Sequence, residues 1–318
     1  MMRPWGLLGA WVATLYASSP SLAWNATGHR IIAAIAYERL NPGTRAQVDL
    51  LLKHHPDYAT LLTRDSPPDP EARARAAFLA ASVWPDHIKG DRRFYDDTRK
   101  DATPTPLLPG FPDMARHTNW HYYDIPYAPD GAQTEKQPPP NALSELRRLL
   151  RETGTSPRDA YDLPWLIHLA GDVHQPLHCT SRFLKSQPKG DAGGNGVIVA
   201  PGGNLHFFWD SAAGSDGSDA YIIRFAAEVT HEYPVPRRLS KDPKQWIEEG
   251  FEIDKREVYS FGLESGSREH PIELSQAYQA NAKRLARERI ALAGYRLAAV
   301  LNEKLKRSVK VILHGQQP

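Results

Sequence analysis

Apolar residues recur at helical spacing along much of the chain. Residues 29–40 form an alanine- and isoleucine-rich run that Asn41-Pro42-Gly43 should terminate, and the pattern resumes over residues 44–53 with Thr44 as a candidate cap. The same reasoning predicts four further helices, over residues 69–82, over residues 142–152, from Asp162 onward with Pro164 in the first turn, and over residues 286–300.

Only one segment carries a clear strand signal. Val197-Ile198-Val199 lies between glycine pairs, and this pattern favours a short hairpin. Residues 101–115 and 125–141 are rich in Pro, Asp and Gly and are predicted as loops. We find no internal repeat and no Ser/Gly linker, so we expect a single, mainly α-helical domain that is compact and multi-helical, with long loops and a small β-hairpin.

The two ends of the chain depart from this pattern. Residues 1–23 carry one arginine, an apolar stretch too short to span a membrane and a Ser-Leu-Ala ending, which is the form of a secretory signal peptide. We expect cleavage after Ala23, so that Trp24 is the first residue of a secreted or periplasmic protein. The domain is then expected to cover residues 24–318, with a C-terminal tail from about residue 307.

Composition excludes some classes of protein. Apolar residues make up 41% of the chain and charged residues 24%, as in ordinary globular proteins, and a formal net charge of +2 does not indicate a strongly basic nucleic-acid binder. Cys179 is the only cysteine, so no internal disulfide can form. Stability must therefore come from packing or from bound metal.

The stretch HLAGDVHQPLH, which begins at His168, concentrates side chains that can bind metal. If it is helical, His168 and Asp172 lie four residues apart on one face, whereas His174 points away. Pro176 should break the helix before His178. Geometry therefore favours His168, Asp172 and His178 as ligands over His174.

A second histidine and aspartate, His206 and Asp210, have the same spacing in NLHFFWD. One such pair is more often a solvated polar face than a metal site. Two such pairs in one chain favour a metal site more than one pair does. The first pair also lies among apolar residues, where unpaired polar groups would be unfavourable. Imidazole and carboxylate are the ligands that zinc accepts where no thiolate is offered.

Further motifs, taken in order, resemble those of one known family. They are WNATGH, WPDHIK, WHYYD, HLAGDVHQPLH, GGN, NLHFFWD and ARERIALAGYRLAAVLN, and they extend from Trp24 to about Asn302. This set is similar to that of the trizinc S1/P1-type nucleases, class I nucleases/3′-nucleotidases that are related to bacterial zinc phospholipase C. The HxxGDxHQPLH motif is highly specific, whereas the others would be weak alone.

The resemblance implies three zinc ions per chain. The implied ligands are Asp86, His121, His168 and Asp172 for the first ion, His178, His206 and Asp210 for the second, and His29, Asp172 and the amine and carbonyl of Trp24 for the third. Asp172 would bridge the first and third ions, and with Asp86 it is the predicted catalytic residue that orients a hydroxide between two metals. Taken singly, Asp86, His121 and His29 each have a purely structural alternative.

The resemblance also implies how substrate is bound. Tyr122 would stack on a nucleobase and Asp124 would hydrogen-bond it, although Tyr122 has an alternative as a core aromatic residue. Lys89 would contact phosphate, at a position where the family usually has arginine. Two other departures are the absence of disulfides and Phe207, where many members have a second histidine.

Together these features predict a secreted zinc-dependent endonuclease that cleaves single-stranded RNA and DNA to 5′-nucleotides. It should also act on 3′-nucleotides, and we expect a monomer without a membrane anchor. Two alternatives remain open. One is a zinc phospholipase C on the same scaffold, and the other is a secreted zinc-binding protein without catalysis, in which metal replaces disulfides.

Overall fold

Helices form most of the computed structural model, which describes residues 24–307. The predicted signal peptide and most of the predicted C-terminal tail lie outside the described residues. The described α-helices are α1 (Ala26–Tyr37), α2 (Pro42–Lys53), α3 (Pro70–Ala81), α4 (Trp84–His87), α5 (Ala142–Glu152), α6 (Asp159–Asp172), α7 (Leu205–Asp210), α8 (Asp219–Glu232), α9 (Pro243–Ile253) and α10 (Gln276–Lys304). The predicted mainly α fold is confirmed.

Four helices, α1, α2, α6 and α10, begin earlier than the sequence indicated, and in α2 and α6 this changes the place of a named residue. α2 begins at Pro42 with Asn41 as its cap residue, so Thr44 lies inside the helix. Proline suits a first turn because the N–H that it lacks would have no intrahelical acceptor there. α6 begins at Asp159, and Pro164 is therefore an internal residue of that helix.

Two small parallel sheets replace the predicted hairpin. β1 (Ile125–Tyr127) pairs with β2 (Thr180–Arg182), and β3 (Val199–Ala200) pairs with β4 (Ile272–Glu273). The hairpin prediction was wrong because the chain does not return as a second strand after β3. It instead turns at glycines 202 and 203, both with positive φ, and enters α7.

α6 occupies the centre of the helical core. Every residue from Tyr161 to Asp172 is buried, and α1, α2, α3, α5 and α10 all pack against this helix. α1 approaches α10 closely at Gly294, where a Cβ would lie 2.5 Å from Cγ2 of Ile35. Within residues 24–307, the helices are all too short or too polar to cross a membrane.

Candidate metal centre

The central helix α6 places His168 and Asp172 one turn apart in the interior. Both side chains are fully buried, and Nε2 of His168 lies 3.2 Å from Oδ2 of Asp172. α6 ends at Asp172, and the residues Pro176–His178 form a separate 3-10 turn. This break allows His178 to face a different part of the centre from His168.

The first cluster consists of Asp86, His121 and His168, whose ligand atoms all lie within 4.8 Å of one another. Asp86 comes from the short helix α4 and His121 from the 3-10 turn Thr118–His121. Nδ1 of His121 is 2.9 Å from Nε2 of His168, and Oδ1 of Asp86 is 3.7 Å from both nitrogens. Asp172 reaches the same point, with Oδ2 3.0 Å from Nδ1 of His121.

The second cluster consists of His178, His206 and Asp210. α7 carries His206 and Asp210 on one face, with Nε2 of His206 3.5 Å from Oδ2 of Asp210. Nε2 of His178 lies 3.1 Å from Nε2 of His206. Asn204 caps this helix by accepting a hydrogen bond from the N–H of Phe207, which fixes where the helix begins.

The third cluster consists of His29, His168 and Asp172. Nε2 of His29 lies 3.2 Å from Oδ1 of Asp172, and the His29 ring stacks on that of His168 with centroids 4.0 Å apart. His29 fits because Gly171 has no side chain, since a Cβ there would lie 2.8 Å from Nδ1 of His29.

Trp24 lies just before α1 and its cap residue Asn25. Its side chain is fully buried, and the N–H of Asn25 donates to the carbonyl of Asp210, 3.2 Å away. The next residues lead into α1 and His29. This placement is compatible with the predicted role of the Trp24 amine and carbonyl, which stays a prediction.

Hydrogen bonds behind the clusters fix how the histidine rings are oriented. The Nδ1–H groups of three rings donate to backbone carbonyls, from His168 to Ser82 at 2.7 Å, from His178 to His121 at 2.8 Å, and from His206 to Gly193 at 2.6 Å. Each of these rings therefore turns its Nε2 lone pair toward the centre, as is typical of metal-bound histidine. Gln175 acts similarly on Asp210 by donating from Nε2 to Oδ1 at 2.7 Å.

His174 has no part in the three clusters. Its Nδ1–H donates to the carbonyl of Ala170, and its Nε2 accepts from Nη1 of Arg296 at 3.0 Å. The prediction that this histidine points away from the others and acts as a hydrogen-bonding residue is confirmed.

The donor set fits zinc. Nε2 of His178 and Nε2 of His206 are both unprotonated when their Nδ1–H groups donate, so two lone pairs face each other across 3.1 Å. Two such nitrogens repel unless a proton or a cation lies between them. Burial, together with the repulsion that a protonated His178 would exert, lowers the pKa of His206 to about 3, which leaves the ring neutral at physiological pH. Neutral imidazoles combined with carboxylates are ligands that zinc accepts.

A cavity of about 180 Å³ opens beside the first and second clusters. Its lining brings together metal-ligand candidates and all of the predicted substrate-binding residues, namely Lys89, His121, Tyr122, Asp124, His178 and His206. Tyr122 is half-buried on the cavity wall, with its hydroxyl donating to Oδ1 of Asn119 at 3.1 Å. A position on the cavity wall argues against the alternative of a purely core aromatic residue.

A family model described as S1/P1 Nuclease matches residues 24–306. The chain belongs to the S1/P1 nuclease family. A curated relative, Nuclease S1 of Aspergillus oryzae (strain ATCC 42149 / RIB 40), is 28% identical over 182 residues, which cover 51% of this chain and 60% of the relative. The chain thus matches about 60% of the length of that S1/P1 nuclease.

In this S1/P1 nuclease family member, Lys89 is buried against the first cluster. Its ammonium lies 2.7 Å from Oδ1 of Asp86. Although burial opposes ionisation, the charge of Lys89 and the neighbouring histidines hold the pKa of Asp86 below its usual range. Lys89 therefore keeps a negative charge on Asp86 and places a positive charge at the cavity wall.

Some residues that line this cavity were missed by reasoning from the sequence. Gly193 and Asn195 line the cavity together with the predicted base-binding residues, and the Gly193 carbonyl also accepts the hydrogen bond from His206. The GGN motif was the available signal, but it carried no assigned role. The positive φ of Gly193 and the 2.5 Å separation between its Cβ position and the carbonyl of Leu177 explain why glycine is needed there.

Proposed function

We propose that this protein is a zinc-dependent endonuclease that cleaves single-stranded RNA and DNA to 5′-nucleotides and also acts on 3′-nucleotides. The observation that carries the proposal is the presence of three buried His/Asp clusters, two of which lie beside a cavity that is also lined by Lys89, Tyr122 and Asp124. The residues that would hold zinc are Trp24, His29, Asp86, His121, His168, Asp172, His178, His206 and Asp210. When bound, zinc supplies positive charge for a phosphate and a nucleophile derived from water near neutral pH.

Asp172 is proposed to be shared by two of the metal sites. Its Oδ1 faces His29, and its Oδ2 faces His121 and His168 at 3.0 and 3.2 Å. A carboxylate with its two oxygens turned toward different clusters is suited to bridging. Asp86 supplies the other carboxylate of the first site, so Asp86 and Asp172 are the proposed catalytic residues.

Lys89 is proposed to bind the substrate phosphate. Its charge lies at the boundary between the first cluster and the cavity, where it can attract a phosphate as a point charge. Arginine would offer a planar fork instead, so a lysine here favours less directional contact with the phosphate.

Tyr122 and Asp124 are proposed to bind one nucleobase. Stacking requires an exposed base face, and hydrogen bonding by Asp124 requires the base edge to be unpaired, so a duplex would first have to open. Burial raises the pKa of Asp124 to about 7, and the nearby charge of Asp191 contributes to this. Near neutral pH this side chain is therefore available both as a hydrogen-bond donor and as an acceptor.

We also propose that the protein acts outside the cytoplasm as a monomer, after removal of residues 1–23. Cleavage after Ala23 would produce the free amine of Trp24 that the third site needs. The buried position of Trp24, just before the helix α1 that carries His29, supports a role for its amine in the third site.

Metal analysis paired with cleavage assays tests the proposal. Protein beginning at Trp24 should contain about three zinc ions per chain, cleave single-stranded RNA and DNA, and lose both activities on chelation. Phosphatidylcholine should be tested in parallel, because a phospholipase C of the same scaffold would prefer it. One zinc or none in active protein, or faster hydrolysis of the phospholipid, would overturn the proposal.

A further inference from the structure

Phe207 is exposed although it lies between two residues of the second cluster. Its side chain is 59% exposed, whereas His206 before it and Asp210 after it are buried. Among the exposed large apolar side chains of residues 24–307, Phe207 is the one aromatic. Its flat ring is therefore available to solvent next to the candidate metal centre.

The helical geometry of α7 defines which side of the centre Phe207 occupies. At about 100° per residue, Phe207 lies roughly 60° from Asp210 and roughly 100° from His206 around the helix axis. Leu205 and Trp209 face the core, on the opposite side of the helix. The Phe207 ring thus projects outward at the margin of the second cluster.

The base cavity lies on a different side of the same cluster. His206 lines that cavity together with His178 and Tyr122, whereas Phe207 and Asp210 are not part of its wall. Around the axis of α7, Asp210 lies between His206 and Phe207, so Phe207 lies beyond Asp210 from the side of the helix that faces the cavity. A phosphate bound at the clusters, with one base at Tyr122, would then have its neighbouring nucleotide on the side of Phe207. This order matches a strand in which two consecutive nucleotides flank the scissile phosphate.

We propose that Phe207 stacks on the base of the nucleotide across the scissile phosphate from the one held by Tyr122 and Asp124. This inference rests on the proposed nuclease function and adds a second base-binding position to it. Stacking on an aromatic face tolerates any base, so Phe207 increases affinity for single strands without adding sequence preference. A 3′-mononucleotide, which has only one base, does not use this position.

The experiment compares Phe207→Ala, Phe207→Trp and the unchanged protein, each loaded with zinc. Substrates are a dinucleotide, the same dinucleotide without the base after the scissile phosphate, and a 3′-mononucleotide. We expect Phe207→Ala to raise KM for the dinucleotide by at least about fivefold, which is the lower limit for loss of one base stack. It should leave kcat for the dinucleotide, and both KM and kcat for the other two substrates, unchanged. Phe207→Trp should retain the original KM.

Ile223→Ala is the matched control, because Ile223 is also an exposed apolar side chain on a helix, at 49% exposure. It should behave like the unchanged protein. If Phe207→Ala has the same KM as the unchanged protein for each substrate, or loses kcat equally on every substrate, Phe207 has no stacking role.

Binding of a non-hydrolysable dinucleotide, measured separately, distinguishes failure of this inference from failure of the proposed function. If the protein cleaves nothing but Phe207→Ala still weakens binding at least about fivefold, the nuclease proposal fails and the stacking position stands. If cleavage is normal and binding is unaffected by Phe207→Ala, the nuclease proposal stands and the stacking position is ruled out.

Discussion

Asp172 is the carboxylate that meets histidines of both the first and the third cluster. It lies within 3.2 Å of His29, His121 and His168, and it is fully buried. A carboxylate in this position is stabilised by its cationic or metal neighbours, since an isolated buried charge is strongly unfavourable. Its proposed role therefore differs from that of Tyr122, which lies on the cavity wall and belongs to none of the clusters.

Asp172→Asn should abolish turnover on every substrate because an amide cannot bridge two cations as a carboxylate does. Tyr122→Ala should instead reduce kcat/KM by about tenfold on substrates that offer a base, in line with the loss of one stack. Both variants are assayed on nucleotides and on a simple phosphodiester without a base. Equal modest losses on both substrates would contradict this division of roles.

Asp124 should make stability depend on pH near neutrality. Because its folded-state pKa is raised to about 7, its contribution is fully present below about pH 4 and is lost as pH rises through about 7. Asp124→Asn should therefore be more stable than the unchanged protein at pH 8, by about 1 to 2 kcal/mol, and similar or less stable at pH 4. Urea unfolding at fixed zinc concentration measures the difference between the two proteins. A difference that is constant across this range would disprove the assignment.

For single residues, the sequence predicted the side chains that can bind metal better than the groups that hold them in place. Helix spacing predicted that His168 and Asp172 share one face and that His206 and Asp210 share another. The division of the side-chain ligands into three sets came from the family resemblance, and these side chains do lie in three clusters. The supporting groups could not be predicted. The carbonyl of Ser82, for example, meets His168 across 86 positions of the chain, and no local pattern encodes such a contact.

Among the helices, the contact between α6 and α1 determines the position of His29. Gly171→Ala should displace the His29 ring, since the added Cβ would lie 2.8 Å from Nδ1. We expect the variant to fold but to lose about one zinc of three, with a decrease in stability of about 1 to 3 kcal/mol from overpacking. Metal analysis and thermal unfolding check both parts. Ala170→Gly, on the same helix, serves as the control and should keep the full zinc content.

Helices and strands with a clear local sequence pattern were predicted better than those without one. α5 has the predicted bounds because Asn141 caps it and its apolar face repeats clearly. α8 was not predicted, although Ile222, Phe225 and Val229 have helical spacing. The segment that contains Val199 was predicted as a strand, but the parallel pairing of the strands had no detectable signal, since strands of two or three residues pair with partners far away in the chain.

For the whole molecule, the start of the mature chain should decide whether the third metal binds. Protein that retains an extra Met before Trp24 has no free amine at Trp24, and an amide nitrogen is a poor metal donor near neutral pH. We expect this form to fold, to retain two zincs and to lose most of its activity. Zinc content and cleavage of one single-stranded substrate are compared with those of protein that begins at Trp24. If the two forms match in both, Trp24 acts only as a buried hydrophobic residue.

The clusters take their side-chain donors from both sides of the long loop at residues 91–117. His29 and Asp86 precede this loop, whereas all other side-chain donors follow it, and Arg99 within it has a 63% exposed side chain. Bound ions would thus act as a removable cross-link between two segments of a protein that has no disulfide. After tryptic cleavage at Arg99, the two fragments should migrate as one particle in size-exclusion chromatography with zinc, and should separate at a lower urea concentration when a chelator is present.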